Sequence, residues 1–312
     1  MHPAPDTCTG EFAQAMQRAF TERPHCIAPK WLYDSEGSRL FDAICELPEY
    51  YPTRTELMLL ERHAGEIARH VGPGAEIVEF GAGSLRKVRL LLRALRSPAG
   101  LVPIDISAEH LHQAALQLQR DHPGLTVRPL AADFTGAAEL PPALGRRVGF
   151  FPGSSIGNFE PAEALALLRR MAGWLDGGLL VGVDLIKEPA LLHAAYNDAQ
   201  GVTPRFNRNL LTRANTELGA DFEPTHWAHS AFYQPVLQRI EMHLVSRADQ
   251  RVRLCGRAFA VAEGDSLHTE SSHKYSVAGF QRLAERAGFE PAAVWMDSRR
   301  WFALHWLLPQ GR

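Results

Sequence analysis

The sequence predicts an α/β chain: a doubly wound, mostly parallel sheet with a second, smaller α+β region. Three observations carry this. Residues 76–95 read as strand, glycine turn and helix; further strand-then-helix units follow in order; and between about 205 and 270 the apolar period changes to two. At 312 residues and 46% hydrophobic, the chain is long enough to bury a large core as one elaborated domain or two.

Charge and cysteine content narrow the class. The formal net charge is −2, and the lysines and arginines are spread without a basic block or interleaved aromatics, which disfavours a nucleic-acid partner. Cys8, Cys26, Cys45 and Cys255 have no ligand spacing and read as unpaired thiols. The start shows no basic segment followed by an apolar run, and no stretch reaches spanning length, so a cytoplasmic protein with no membrane partner is expected.

Residues 1–25 read as a loose lead-in with one short helix, EFAQAMQRAF. Leu40, Phe41 and Ile44 then suit a second short helix, and Pro48 and Pro52 bracket and stiffen the pair Tyr50 and Tyr51. From Thr55 the residues Leu57, Leu60, Ala64 and Ile67 recur on one helical face until the break at GPG.

Glu76 to Phe80 form the first core strand. Gly81 and Gly83 interrupt it, and Leu85, Val88, Leu92 and Leu95 continue at helical spacing. Such a turn leaves room for a ligand against backbone amides at a helix start. A dinucleotide fingerprint needs a third glycine, where this chain has Arg86, which counts against NAD and FAD. S-adenosylmethionine lacks a pyrophosphate and fits better, with Asp105, at the end of the next strand, suited to its ribose.

Ser107 is placed to cap the helix bearing Leu111, Ala115 and Leu118. The strand TVRPLAADF ends at Asp133 and Phe134, on the rim where ligands lie in open α/β sheets; these could address an adenine, or Asp133 could simply cap the following turn. The strand VGFFPG brings Gly153 and Asn158 to the same rim before a helix opening at Pro161. LLVGVDLI is a strand buried on both faces apart from Asp184, and a helix then carries Tyr196 towards a loop, GVTPRFNRN.

Beyond residue 205, Ile240, Met242 and Leu244 alternate with polar neighbours, and after the turn RADQ the residues Val252 and Leu254 resume the alternation, as in a hairpin. In DSLHTESSHKYS, His268 and His273 lack a third ligand at useful spacing, so no metal is expected; Glu270 and Ser272 would point to one side of an extended segment, unless this is a polar turn. A helix, VAGFQRLAERAGF, and two strands, AAVWMDS and RWFALHWLLP, close the chain.

PKWLYDSEGSRLFDAICELPEYYPTRTE, EFGAGS, IDIS, ADF, FPGSSIGNF, YNDAQGVTPRFNRN, RIEMHL and HTESSHKYS, in that order, resemble the histidine-specific Nα-methyltransferases of ergothioneine biosynthesis, from about residue 28 onward. The resemblance implies trimethylation of the L-histidine α-amine by S-adenosylmethionine to give hercynine. It implies a Rossmann-like class I methyltransferase domain over 55–198 and 275–312, and a smaller substrate-binding α+β domain over 10–54 and 199–274. It also implies the site. Catalytic contacts to the substrate carboxylate and amine fall to Asn158 and Tyr196, with Tyr33 and Tyr50 enclosing the amine, Tyr50 being less secure against Tyr51. Glu270 and Ser272 hold the imidazole beside Met242. Gly81, Gly83, Ser84, Lys87 and Gly153 hold the methionine part of the co-substrate, Asp105 its ribose, and Asp133 with Phe134 its adenine. A monomer is expected. The competing expectations are a methyltransferase of another amino acid or biogenic amine, and a non-catalytic Rossmann-like binding protein.

Overall fold

The computed structural model describes residues 8–136 and 138–311. In chain order the elements are α1 (Glu11–Thr21), α2 (Ser35–Cys45), α3 (Tyr51–Val71), β1 (Ala75–Phe80), α4 (Arg86–Ala94), β2 (Gly100–Asp105), α5 (Ala108–Asp121), β3 (Leu130–Ala131), β4 (Arg146–Phe151), α6 (Pro161–Trp174) and β5 (Gly178–Asp184). There follow α7 (Pro189–Tyr196), α8 (Val202–Leu218), β6 (Trp227–Gln234), β7 (Arg239–Ser246), β8 (Gln250–Leu254), β9 (Arg257–Val261), β10 (Ser266–His273), α9 (Val277–Arg286), β11 (Phe289–Met296) and β12 (Phe302–Pro309). Two compact units result: Met1–Tyr50 with Glu188–Ser271, and Tyr51–Lys187 with Ser272–Arg312.

The larger unit is built on a seven-stranded sheet in the order β11-β12-β5-β4-β1-β2-β3. β3, β2, β1, β4 and β5 run parallel, while β12 is antiparallel to both β5 and β11. Both faces are covered, as a parallel sheet requires. Ile77 packs with Leu60 and Ile67 of α3, Val88 of α4 and Leu111 of α5. Its neighbour Val78 packs on the other face with Leu168 of α6 and Phe280 of α9. The chain runs from β1 outward to β2 and β3, then returns to place β4 on the other side of β1. Loops leaving the carboxyl ends of β1 and β4 therefore diverge, and the crevice of the fold opens there.

The smaller unit joins α1, α2, α7 and α8 to a three-stranded sheet, β10-β7-β6, and a two-stranded ribbon, β8-β9. α8 is held by α2 and α1 and lies against β6 and β7.

Several local expectations change. The strand TVRPLAADF pairs with β2 in two pieces, a bridge of Val127 to Leu101 and the short ladder Leu130–Ala131; the gap falls opposite Pro103 of β2, which has no amide to donate between Leu101 and Asp105. Residues 239–254 are not one hairpin: β7 pairs with β6, and β8 pairs with β9. The turn that decides this is Cys255-Gly256, whose φ angles of 50° and 73° make the two-residue connection that matches strand twist. The loop GVTPRFNRN is instead the start of α8, which accepts Pro204 in its first turn. The long helix begins at Tyr51 rather than Thr55, again with a proline, Pro52, in its first turn. Leu85 precedes its helix with a φ of 58°, and Ser107 occupies the N-cap of α5 without its side chain capping. α7, expected with the larger domain, lies in the smaller unit because it packs on β6 and β7.

Candidate active site

The glycine loop after β1 is shaped by its backbone. Gly81 and Gly83 take φ values of 69° and 49°, in the left-handed region where a side chain is strained. The Gly81 and Ala82 amides donate to the Ile104 carbonyl, and the Gly83 amide donates to Asp105 Oδ2 at 2.9 Å. Asp105 Oδ1 accepts the Ser107 amide, also at 2.9 Å. The carboxylate is thus aimed by two amides before any ligand arrives. A Cβ on Gly81 would lie 3.9 Å from both the Phe134 ring and Ser155 Oγ, so three loops converge on this glycine.

Beneath the loop sit groups that the sequence did not single out. Glu56 of α3 is fully buried, pairs with Lys87 Nζ at 2.7 Å, and accepts the Gly153 amide at 2.9 and 3.0 Å. Lys87 and Gly153, 66 residues apart in sequence, are thereby joined through one carboxylate. Glu79, at the end of β1, is 1% exposed, and its Oε2 has no hydrogen-bond partner among the described residues. Burial pushes its pKa well above the usual carboxylate value, Lys87 opposes the shift, and Asp105 and Glu56 add to it.

The carboxyl end of β5 carries a second buried cluster. Asp184 accepts from the Tyr51 hydroxyl at 2.8 and 2.9 Å, from Lys187 and, at 2.9 Å, from Lys274. Burial works to raise the Asp184 pKa, but Lys274 and Lys187 outweigh it and the net direction is down. Lys187 is itself lowered to about 8, chiefly by burial and against the pull of Asp184. Lys274 Nζ also donates to Ser272 Oγ at 2.7 Å. Asn158 closes a 3-10 turn, Ser155–Asn158, that is pressed on the same strand: a Cβ on Gly157 would meet the His273 carbonyl oxygen at 2.7 Å. The fold thus brings the turn bearing Asn158 against the strand end bearing Ser272.

In the smaller unit, Tyr33, Tyr50 and Tyr196 come together through phenylalanines. Tyr33 contacts Phe41 and Phe206 edge-on, Phe41 contacts Tyr50, and Tyr50 contacts Tyr196 at a centroid distance of 6.1 Å. These side chains come from the turn after Pro29–Leu32, from α2, from the residue before α3, from α7 and from α8. Burial pushes the Tyr50 hydroxyl well above its ordinary pKa, with added push from Tyr196, Cys45, Tyr33 and Glu270. Tyr50 belongs to this aromatic row, whereas the Tyr51 hydroxyl is committed to Asp184. Glu270 is 6% exposed on β10, which is a strand and not a polar turn. Met242 is buried on β7, and its carbonyl accepts the Thr269 hydroxyl at 3.0 Å.

Asp133 caps its own turn, Oδ1 accepting the Thr135 amide at 2.8 Å and the Thr135 hydroxyl at 2.5 Å, while Phe134 lies edge-on to Phe80 and Phe151. A third potential ligand does stand near His268, contrary to the expectation from spacing. Strand pairing gathers Glu241, His243 and His268, with candidate ligand atoms within 4.8 Å of one another. Arg239 also holds the Glu241 carboxylate at 2.8 Å, the His243 ring lies between Glu241 and Ser266, and the two imidazoles stack at 4.7 Å and 14°.

The model of the family described as "Histidine-specific methyltransferase, SAM-dependent" matches residues 12–309. The chain belongs to this family. Its relatives include the histidine N-alpha-methyltransferase of Mycolicibacterium smegmatis, 37% identical over 308 residues and covering 96% of each chain. The enzyme of the same name from Mycobacterium tuberculosis is 38% identical over 288 residues, covering 90% of this chain and 89% of that one. Ergothioneine biosynthesis protein 1 of Neurospora crassa is 31% identical over 91% of this chain, which spans 33% of that longer protein.

Proposed function

We propose that the chain transfers methyl groups from S-adenosylmethionine to the α-amine of L-histidine, three times, giving hercynine as the first step of ergothioneine biosynthesis. The supporting observation is that family membership over residues 12–309 coincides with a glycine loop and a Glu270/Ser272 strand, each suited in chemistry to one of the two substrates.

The cradle fits the co-substrate on three counts. Gly81 and Gly83 keep side chains out of the loop, Asp105 presents a pre-aimed carboxylate to a ribose diol, and Glu79 offers a buried oxygen without a protein partner to an ammonium. Phe134 borders the adenine, and Ser84, Lys87 and Gly153 complete the methionine side. When bound, the co-substrate supplies a methyl on a sulfonium, whose leaving thioether is neutral, so the transfer calls for alignment and an unprotonated amine and not for a metal.

The protein's part is orientation. Asn158 and Tyr196 bind the substrate carboxylate and amine, and Tyr33 and Tyr50 wall the amine side. Tyr50, held neutral by its buried row, acts as a hydrogen-bonding group and not as a phenolate base. Each turn releases one proton, which passes to solvent. Glu270 and Ser272 address the two imidazole nitrogens, and an amine lacking that ring forgoes both hydrogen bonds, which is the basis of selection. Met242 packs beside the ring. We read the protein as a cytoplasmic monomer acting on a small molecule, without nucleic acid or membrane; among the described residues, no helix is long and apolar enough to cross one.

Mass spectrometry of the purified protein with S-adenosylmethionine and an equimolar mixture of amino acids and biogenic amines tests this reading. Histidine should gain three methyls. Methylation of another amine with histidine untouched refutes the imidazole assignment, and Glu270→Ala should weaken histidine use by about a hundredfold while leaving S-adenosylmethionine affinity within about twofold.

A further inference from the structure

The three-stranded sheet carries a cluster of ligating side chains that the proposed methyl transfer does not use. Along β7 burial alternates: Ile240, Met242 and Leu244 are buried, while Glu241 and His243 are half-buried and so share the other face. On the neighbouring strand β10, Ser266 and His268 are half-buried on either side of the buried Leu267. One ligating atom from each of Glu241, His243 and His268 lies within 4.8 Å of the others. Hydrogen bonds prepare them. The Glu241 carboxylate is held through Oε1 by Arg239 at 2.8 Å and meets His243 Nε2 through Oε2 at 3.1 Å. Ser266 Oγ stands 2.8 Å from the other nitrogen of that ring, Nδ1. His268 Nε2 reaches the Glu270 carbonyl at 3.0 Å and Ser271 Oγ at 3.2 Å. A carbonyl only accepts, so Nε2 bears the proton and the bare lone pair is on Nδ1, which makes no hydrogen bond among the described residues.

We propose that Glu241, His243 and His268 form a binding site for one divalent transition-metal ion of the zinc type, with water completing the coordination. Two imidazole nitrogens and one carboxylate oxygen are a donor set that such ions prefer, whereas magnesium and calcium ask for shells of oxygen. Strand pairing supplies what spacing along the chain does not: a Glu-x-His pair on β7 and a histidine on the next strand. The ion takes the place between Glu241 Oε2 and His243 Nε2 that a proton otherwise fills. That proton need not be lost from the ring, because the Ser266 hydroxyl accepts as readily as it donates: Nδ1 gains a proton as Nε2 gives one up. Ser266, Arg239 and the Glu270 carbonyl are then the outer partners that fix tautomer and orientation. The imidazoles stack at 4.7 Å and 14°; ligation through in-plane lone pairs turns one ring about its Cβ–Cγ bond and gives up that contact. This cost and the neighbouring Arg239 charge keep the affinity below that of a closed structural site. The ion clamps β7 to β10, the strands that also bear Met242 and Glu270.

Calorimetric titration of the chelator-stripped full-length protein with zinc chloride, at about pH 7.5 where free imidazoles are neutral, tests this. One equivalent should bind with a Kd tighter than about 100 μM, and His268→Ala, His243→Ala and Glu241→Gln should each weaken it at least about fivefold. The competing binder is the thiol pair Cys8 and Cys255, whose side chains hydrogen-bond to each other. Cys8→Ser should therefore leave zinc affinity within about twofold, and cobalt(II) in place of zinc should give a ligand-field spectrum without a thiolate charge-transfer band. Hydrogen exchange should slow in β7 and β10 when zinc is added to the wild-type protein. That measurement needs no variant, so it decides the matter even where His268→Ala fails to fold. Weaker wild-type binding, a smaller loss in His268→Ala, a thiolate band, or slowed exchange confined to other segments overturns the proposal. None of these readouts involves methylation, so a failure of the histidine reading leaves this one standing, and the reverse.

Discussion

Glu79 and Asp184 lie at the carboxyl ends of parallel strands of the same sheet, β1 and β5, and both are buried to 1% exposure, yet their pKa values move in opposite directions. Burial raises the pKa of each. Glu79 has Lys87 nearby, but that ammonium is bound to Glu56 at 2.7 Å, and two further carboxylates face it; its pKa stays high and one oxygen stays unpartnered. Asp184 has two ammoniums and a phenol of its own, and its pKa falls. The difference teaches that burial alone does not assign a carboxylate's role. The number of donors committed to it decides whether it is consumed by the structure or kept for a ligand.

The comparison can be broken in three ways. The largest effect should come from Asp184→Ala, which strands two buried ammoniums and should cost about 3–5 kcal/mol in urea unfolding; a loss below about 1 kcal/mol would show that the cluster is not the anchor described. Next comes the pH dependence of Lys187. Its folded pKa of about 8 lies below the ordinary 10.5, so the native state binds fewer protons than the unfolded chain between those values. Stability should therefore rise with pH across that window, on the order of 2 kcal/mol, and the rise should vanish in Lys187→Met; a falling difference curve would contradict the assignment. Smallest is Glu79→Gln, which should shift stability at neutral pH by under about 1 kcal/mol but weaken S-adenosylmethionine binding about tenfold. The wild-type protein should also gain stability relative to this variant as pH falls from the raised Glu79 pKa towards 4.5, since the native carboxyl takes its proton first. Unchanged co-substrate affinity would mean that the unpartnered oxygen is merely tolerated.

How much was legible follows the range of the forces involved. The glycine loop, Asp105 and the helix opened by Pro161 could be read locally, because backbone sterics and capping act over a few residues. The break in the strand at 126–134 was not legible because apolar pattern ignores the donor that Pro103 of the neighbouring strand lacks, and the 239–254 hairpin was misplaced because alternation does not name a partner. Cys255-Gly256 was the missed signal, a two-residue turn between alternating runs.

The sequence by itself determined the parallel α/β architecture, the rim on which Gly81, Asp105 and Gly153 fall, and the family to which the chain is similar. Periodicity, glycine placement and ordered motifs are properties of the chain read along its length. Only the tertiary structure decided that Glu56 joins Lys87 to Gly153, that Tyr33, Phe41, Tyr50 and Tyr196 form one buried row, and that Asp184 fixes Lys274 on Ser272. The contacts that tie these groups together, Glu56 to Lys87, Asp184 to Lys274 and Tyr50 to Tyr196, span tens to more than a hundred residues. Their charge states depend on which neighbours exclude water and which donors reach them, and folding alone sets both.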